Sequence, residues 1–166
     1  MSIYSTIRPD NDIFDEINKS KKVLLVGCPL CANLMYSLQK KMPISKLGII
    51  GIRPLGIENE TKRLSSVLKK RGYKAKVWIP MFPLAVCCGL NAITTLPAKI
   101  RNLSSADTVI ALCCEVGAHR LQNLFPSKKI VNGMNACGII RVTTKKERGK
   151  TLPVGQPDIA RFRLVE

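Results

Sequence analysis

Short runs of uninterrupted apolar, β-branched residues alternate along this chain with longer stretches of helical period, and that alternation constrains the fold more than any other feature. The first run covers 23–28 (VLLVGC); in 29–42, which follows, Leu34, Leu38 and Met42 recur at helical spacing and Pro29 suits a first helical turn. The unit returns as 47–53 (LGIIGIR) and then 58–72, where Leu64, Val67 and Leu68 form the apolar stripe and Gly72 stops the helix. A third strand over 74–80 (KAKVWIP) leads into an apolar loop over 81–90 and a helix over 93–103. Residues 107–114 (DTVIALCC) read as the fourth strand, 116–124 as the fourth helix and 129–135 (KIVNGMN) as the fifth strand.

Strands that are apolar at every position are buried on both faces, and alternation with helices makes them parallel. The expected fold is therefore α/β: a small doubly wound, mainly parallel five-stranded sheet of the Rossmann or flavodoxin kind, with helices on both faces. A chain of 166 residues is long enough for one domain with a sizeable core. That domain is expected over 21–140, after an N-terminal extension (1–20) and before a basic tail (141–166).

The seven cysteines fall in a pattern that this fold makes meaningful. Cys28 ends the first strand and Cys31 opens the helix after it. Cys87 and Cys88 lie in the loop after the third strand, Cys113 and Cys114 end the fourth, and Cys137 follows the fifth. In a parallel sheet all these carboxyl ends converge on one edge, where open α/β sheets bind their ligands. Cys28 and Cys31 have the spacing of a chelating pair at a helix mouth, where the thiolate form is favoured. Neighbours in extended chain point to opposite faces, so one member of each doublet is expected to join the site.

The expected ligand set is Cys28, Cys31, Cys88 and Cys114, drawn from the seven candidates Cys28, Cys31, Cys87, Cys88, Cys113, Cys114 and Cys137. Four thiolates suit either tetrahedral zinc or a [4Fe-4S] cluster. Ligands arriving singly from distant loops, near apolar Met81, Phe82, Leu84 and Ile93, favour the iron-sulfur cluster over zinc. The alternatives are a thiol-disulfide redox site and ordinary buried thiols.

The stretch 105–140 (SADTVIALCCEVGAHRLQNLFPSKKIVNGMNACGII) resembles the small cysteine-rich subunit, or C-terminal domain, associated with methylenetetrahydrofolate reductase in anaerobic bacteria and archaea. That family shows an Ala-Asp, an apolar strand, CGVG, a helix, a second apolar strand and LNT. GCPLC at 27–31 is similar to its early CxxC, and Cys87-Cys88 stands in the place of its mid-chain cysteine. The resemblance covers roughly residues 20–140. It implies metal or cluster binding by Cys28, Cys31, one of Cys87 and Cys88, and one of Cys113 and Cys114, with Gly117 and Asn135 shaping the backbone. This chain has Glu115-Val116-Gly117 after the strand cysteines and no cysteine beyond Cys137, where the family carries a second cysteine block.

Charge divides the chain unevenly. Residues 1–60 hold 8 basic and 6 acidic groups, whereas 61–166 hold 19 and 5, within a net charge of +16. Such a field draws an acidic partner protein, an anionic cofactor or nucleic acid. Lys69, Lys70, Arg71, Lys74 and Lys76 complement a helix C-terminus, and aromatic content is only 5%, so a nucleic-acid module is the weaker reading. His119 reads as a helix-surface residue and Glu115 as a helix N-terminal acid; Glu58, Glu60 and Glu115 form no obvious catalytic pair. Neither GxGxxG nor a P-loop is present.

No run reaches the roughly 18 apolar residues of a membrane span, and the N-terminus has no signal-peptide pattern. The expected compartment is the cytoplasm, which makes structural disulfides unexpected. Together these features suggest a metal- or iron-sulfur-binding accessory protein of one-carbon metabolism, a non-catalytic subunit or electron-transfer component more than an enzyme. It would bind a reductase subunit or another acidic protein, with a homodimer left open. A thiol oxidoreductase or sulfur-transfer protein using the CxxC is the alternative.

Overall fold

A computed structural model describes residues 2–17, 21–48, 51–80, 105–147, 150–154 and 157–158. Its centre is a four-stranded parallel sheet in the order β5-β2-β6-β7, built from β2 (Lys22–Gly27), β5 (Lys74–Trp78), β6 (Thr108–Leu112) and β7 (Lys129–Asn132). Val23, Leu24, Leu25 and Val26 of β2 and the whole of β6 are buried, as continuous apolar runs between two covering layers must be. Helix α3 (Leu55–Lys70) packs on β2 and β5, and α4 (Glu115–Leu124) on β6 and β7. The crossovers β2 to β5 and β6 to β7 run in opposite directions along the sheet, so their right-handedness places α3 and α4 on opposite faces.

The five-stranded parallel sheet expected from the sequence is not what forms. The run 47–53 is not a strand of the central sheet: it contributes to an antiparallel pair of its own, β3 (Ser45–Gly48) with β4 (Gly51–Pro54), in which Gly48 faces Gly51. A short apolar run looks the same whether it lies flat in a buried sheet or doubles back. The run 129–135 also divides. It leaves the parallel sheet after β7, and Gly133 donates to the Ala111 carbonyl at 2.9 Å before the chain enters β8 (Met134–Ile140).

β8 belongs to a second, antiparallel sheet, β1-β8-β11, with β1 (Ser2–Ile7) and β11 (Pro157–Asp158) on either side. The residues read as an N-terminal extension thus fold as β1 and α1 (Asp10–Ile17), which buries Ile13, Phe14 and Ile17. Part of the expected basic tail folds too, as the antiparallel pair β9 (Thr143–Glu147) and β10 (Lys150–Val154). The apolar loop and helix read over 81–103 lie outside the described residues.

Helix α3 ends where Gly72 takes φ +87°, and the Tyr73 amide reaches back to the Leu68 carbonyl at 3.0 Å, the closing bond of a Schellman turn. Its N-terminus depends on α2 (Cys31–Gln39). Pro54 caps without a side-chain bond, and Asn33 of α2, fully buried, instead accepts from the Ile57 amide at 3.0 Å while donating to the Ile44 carbonyl at 2.9 Å. Gly56 permits this approach: a Cβ there would stand 2.8 Å from the Asn33 carbonyl oxygen.

A polar network ties α1, α2 and α3. Arg63 donates to both carboxylate oxygens of Asp10 at 2.8 and 2.7 Å and to both of Glu60 at 3.0 and 2.6 Å. Hydrogen bonding to Arg63 holds the Asp10 carboxyl below its ordinary range, and Arg53 does the same for Glu58. Desolvation, aided by the Glu60 charge, pushes the Tyr36 hydroxyl up to about 12. The depressed carboxyls contribute stability that is complete above the unfolded carboxylate range and lost as pH falls through the folded values. For Tyr36 the unfolded chain loses its proton first, so stability is lost as pH rises from about 10 to about 12. The urea midpoint is expected to fall on both sides of neutrality, and Tyr36→Phe to flatten the alkaline limb. Parallel alkaline losses in wild type and variant would contradict this.

Candidate thiol site at the carboxyl edge of the parallel sheet

The chain builds β2 first, then β5 on one side of it, then β6 and β7 on the other. The order therefore reverses between β2 and β6, and the carboxyl ends of those two strands form the crevice where doubly wound sheets bind ligands. Cysteines occupy both sides of it. Gly27 pairs with Leu112, and the Cys28 amide continues the ladder to the Leu112 carbonyl at 3.0 Å. That register carries Cys28 beside Cys113. Counting alternation from Val26 and Ala111, both fall on the same side of the sheet.

Cys28 and Cys113 are buried, at 0% and 3% exposure, and Cys114 is buried at 5%. Burial pushes the Cys113 thiol well above its ordinary range, and the neighbouring Cys28 and Cys114 thiols push it further. Cys31 is half-buried as the first residue of α2; the Asn33 and Leu34 amides bond to the Cys28 and Leu30 carbonyls at 3.2 and 2.9 Å, closing the turn that carries the CxxC. Cys114 is the N-cap of α4, and its carbonyl accepts from the Ala118 amide at 3.0 Å. Two helices thus begin at the same crevice with a cysteine at each mouth. Cys28, Cys31 and Cys114 each have an interaction partner.

Not every expected ligand arrives there. Cys137 lies within β8 on the antiparallel sheet, 3.4 Å from the Thr6 hydroxyl and 3.4 Å from the Asn135 carbonyl. The run read as the fifth strand leaves the parallel sheet after Asn132, and Cys137 goes with β8 into the antiparallel sheet. Cys87 and Cys88 lie outside the described residues. Among the described residues, no three Cys, His, Asp or Glu side chains are grouped to hold a metal ion. Cys28, Cys31 and the Cys113-Cys114 doublet are the cysteines that the two adjacent strand ends supply.

His119 is exposed on α4, and Glu115 is an exposed acid in that helix's first turn, as expected of them. Gly117 is buried on α4, whereas Asn135 is exposed on β8. Asn33 was not legible as a site residue, because its role comes from contacts 11 and 24 residues away. It pins the helix that opens with Cys31 to the start of α3. The one available signal was an amide side chain inside the apolar period of α2.

No helix among the described residues is long and apolar enough to cross a membrane. No protein-family model, curated protein or solved structure matches this chain.

Proposed function

We propose that the chain is a thiolate-ligated metal- or iron-sulfur-binding accessory protein that serves a reductase of one-carbon metabolism. What supports this reading is the register that sets Cys28 beside Cys113 at the reversal point of the parallel sheet, with Cys31 opening α2 and Cys114 capping α4 in the turns that follow. The donor chemistry fits a soft metal: sulfur from two adjacent strand ends, with the exposed Glu115 the acid beside them. Cys28 and Cys31 would hold the group from the β2–α2 turn, and Cys113 or Cys114 from the β6–α4 turn. The remaining ligand is assigned to Cys87 or Cys88, which lie outside the described residues. A bound cluster would supply one-electron transfer, whereas bound zinc would fix the loops that meet a partner. An iron-sulfur cluster is favoured over zinc because the ligands come from separate connections, not from two paired knuckles. The resemblance of 105–140 to the reductase-associated cysteine-rich subunit supports the choice of partner.

Anaerobic purification followed by absorbance and metal analysis tests this reading. A broad band near about 400 nm, with iron and acid-labile sulfide, is the expected result. Colourless protein with about one zinc per chain would keep the site and remove the electron-transfer role. Protein without metal, in which Cys31 reacts as a low-pKa thiol and becomes disulfide-linked, would replace the proposal with thiol oxidoreductase chemistry.

A further inference from the structure

The parallel sheet has two ends, and the one opposite the thiols is also chemically distinctive. Lys22 begins β2 and Lys74 begins β5; the two are paired in register, and Lys76 stands two residues further along β5 on the same face. Lys21 precedes β2, its carbonyl accepting from the Lys74 amide at 2.8 Å, and Lys69 and Lys70 close α3 just before β5. Parallel topology therefore gathers residues 21–22 and 69–76 at a single edge. All six lysines are exposed.

Arg53, Lys62, Arg63 and Arg8 are held by carboxylates, but among the described residues no ion pair or side-chain hydrogen bond engages any of these six. The acid at this edge, Asp107, accepts from the Lys22 backbone amide at 3.2 Å and is hydrogen-bonded back through its own amide to the Lys22 carbonyl at 2.8 Å. A cleft of about 170 Å³ opens beside these lysines, lined by Lys22, Val23, Lys74, Lys76, Ser105 and Ala106, and is large enough for a phosphoryl group. Like charges crowded side by side on neighbouring strands repel one another, a cost that a bound polyanion removes.

We propose that this lysine edge is a docking surface for the phosphate backbone of a duplex nucleic acid, bound without sequence preference. Composition decides between polyanions. Protein–protein interfaces are depleted in lysine, whereas this edge exposes six lysines, with Arg71 stacked over the Phe14 ring and Tyr73 half-buried. Single-strand binding uses aromatic side chains as stacking platforms, whereas lysine point charges suit phosphates contacted for charge alone. The surface is independent of the thiol crevice, so it stands or falls apart from the metal reading.

Fluorescence anisotropy with short mixed-sequence duplexes tests it. Binding is expected to be equal for unrelated sequences and to weaken linearly in log affinity with log salt. Lys74→Glu/Lys76→Glu is expected to lower affinity at least about tenfold at low salt, and Lys74→Ala/Lys76→Ala to reduce the salt slope by about 2. Urea midpoints of the alanine variant matching wild type would confirm that the fold is intact. Affinity and slope unchanged in both variants would overturn the proposal. So would displacement of the duplex by polyglutamate at equal charge concentration, which would assign the edge to an acidic polypeptide.

Discussion

Arg63→Leu is expected to destabilise the protein by about 3 kcal/mol, a large share of the stability of a domain this size. The guanidinium stands between Asp10 on α1 and Glu60 on its own helix, and the two acids differ in what they lose. Asp10 is partly solvated, at 29% side-chain exposure, and water replaces much of its bond. Glu60, at 3%, would remain as an unpaired buried carboxylate beside Tyr36. Most of the loss therefore belongs to Glu60. Arg63→Leu combined with Glu60→Gln should recover about half of it, because a neutral amide can still bond to Tyr36 without a buried charge. Urea unfolding of the two single variants and the double variant measures this. Additive losses would show that Arg63 acts through the packing of its stem and not through Glu60.

The second large effect concerns binding. Single substitutions Cys28→Ser, Cys31→Ser and Cys114→Ser are each expected to reduce metal content by tenfold or more, since a hydroxyl does not replace a thiolate as a soft-metal ligand. Cys137→Ser, by contrast, should leave it unchanged, because that thiol is engaged with Thr6 on the other sheet. Cys113→Ser distinguishes the two members of the doublet. Register places Cys113 beside Cys28, whereas Cys114 sits at the mouth of α4, so the more damaging substitution identifies the ligand. Equal metal content in all five variants would remove the crevice as the binding site.

What the sequence made legible was local or depended on topology alone. The apolar run of β2, the stripe of α3 with its stop at Gly72, and β6 followed by α4 all show in periodicity, because burial on one or both faces imposes it. The meeting of Cys28 with Cys113 and Cys114 followed from one further rule, that parallel strands share a carboxyl edge. The errors came where a short run was given one partner and took another. Ser45–Gly48 and Gly51–Pro54 pair antiparallel with each other, and Gly133 lies between β7 and a second strand in a different sheet, which carries Cys137 away from the edge. β1 was read as an extension because its polar and apolar mixture gains meaning only against β8, more than 120 residues later. Asn33 and Arg63 were equally invisible, since a buried polar side chain is justified by distant partners and not by its neighbours.

The central claim is that sulfur from this crevice holds a metal, and X-ray absorption at the metal edge of anaerobically purified protein tests it most directly. The account predicts a first shell made of sulfur alone at about 2.3 Å, with a metal–metal distance beyond it for a cluster, and loss of that shell in Cys28→Ser. A first shell of nitrogen and oxygen, or a sulfur shell that persists without Cys28, would contradict it.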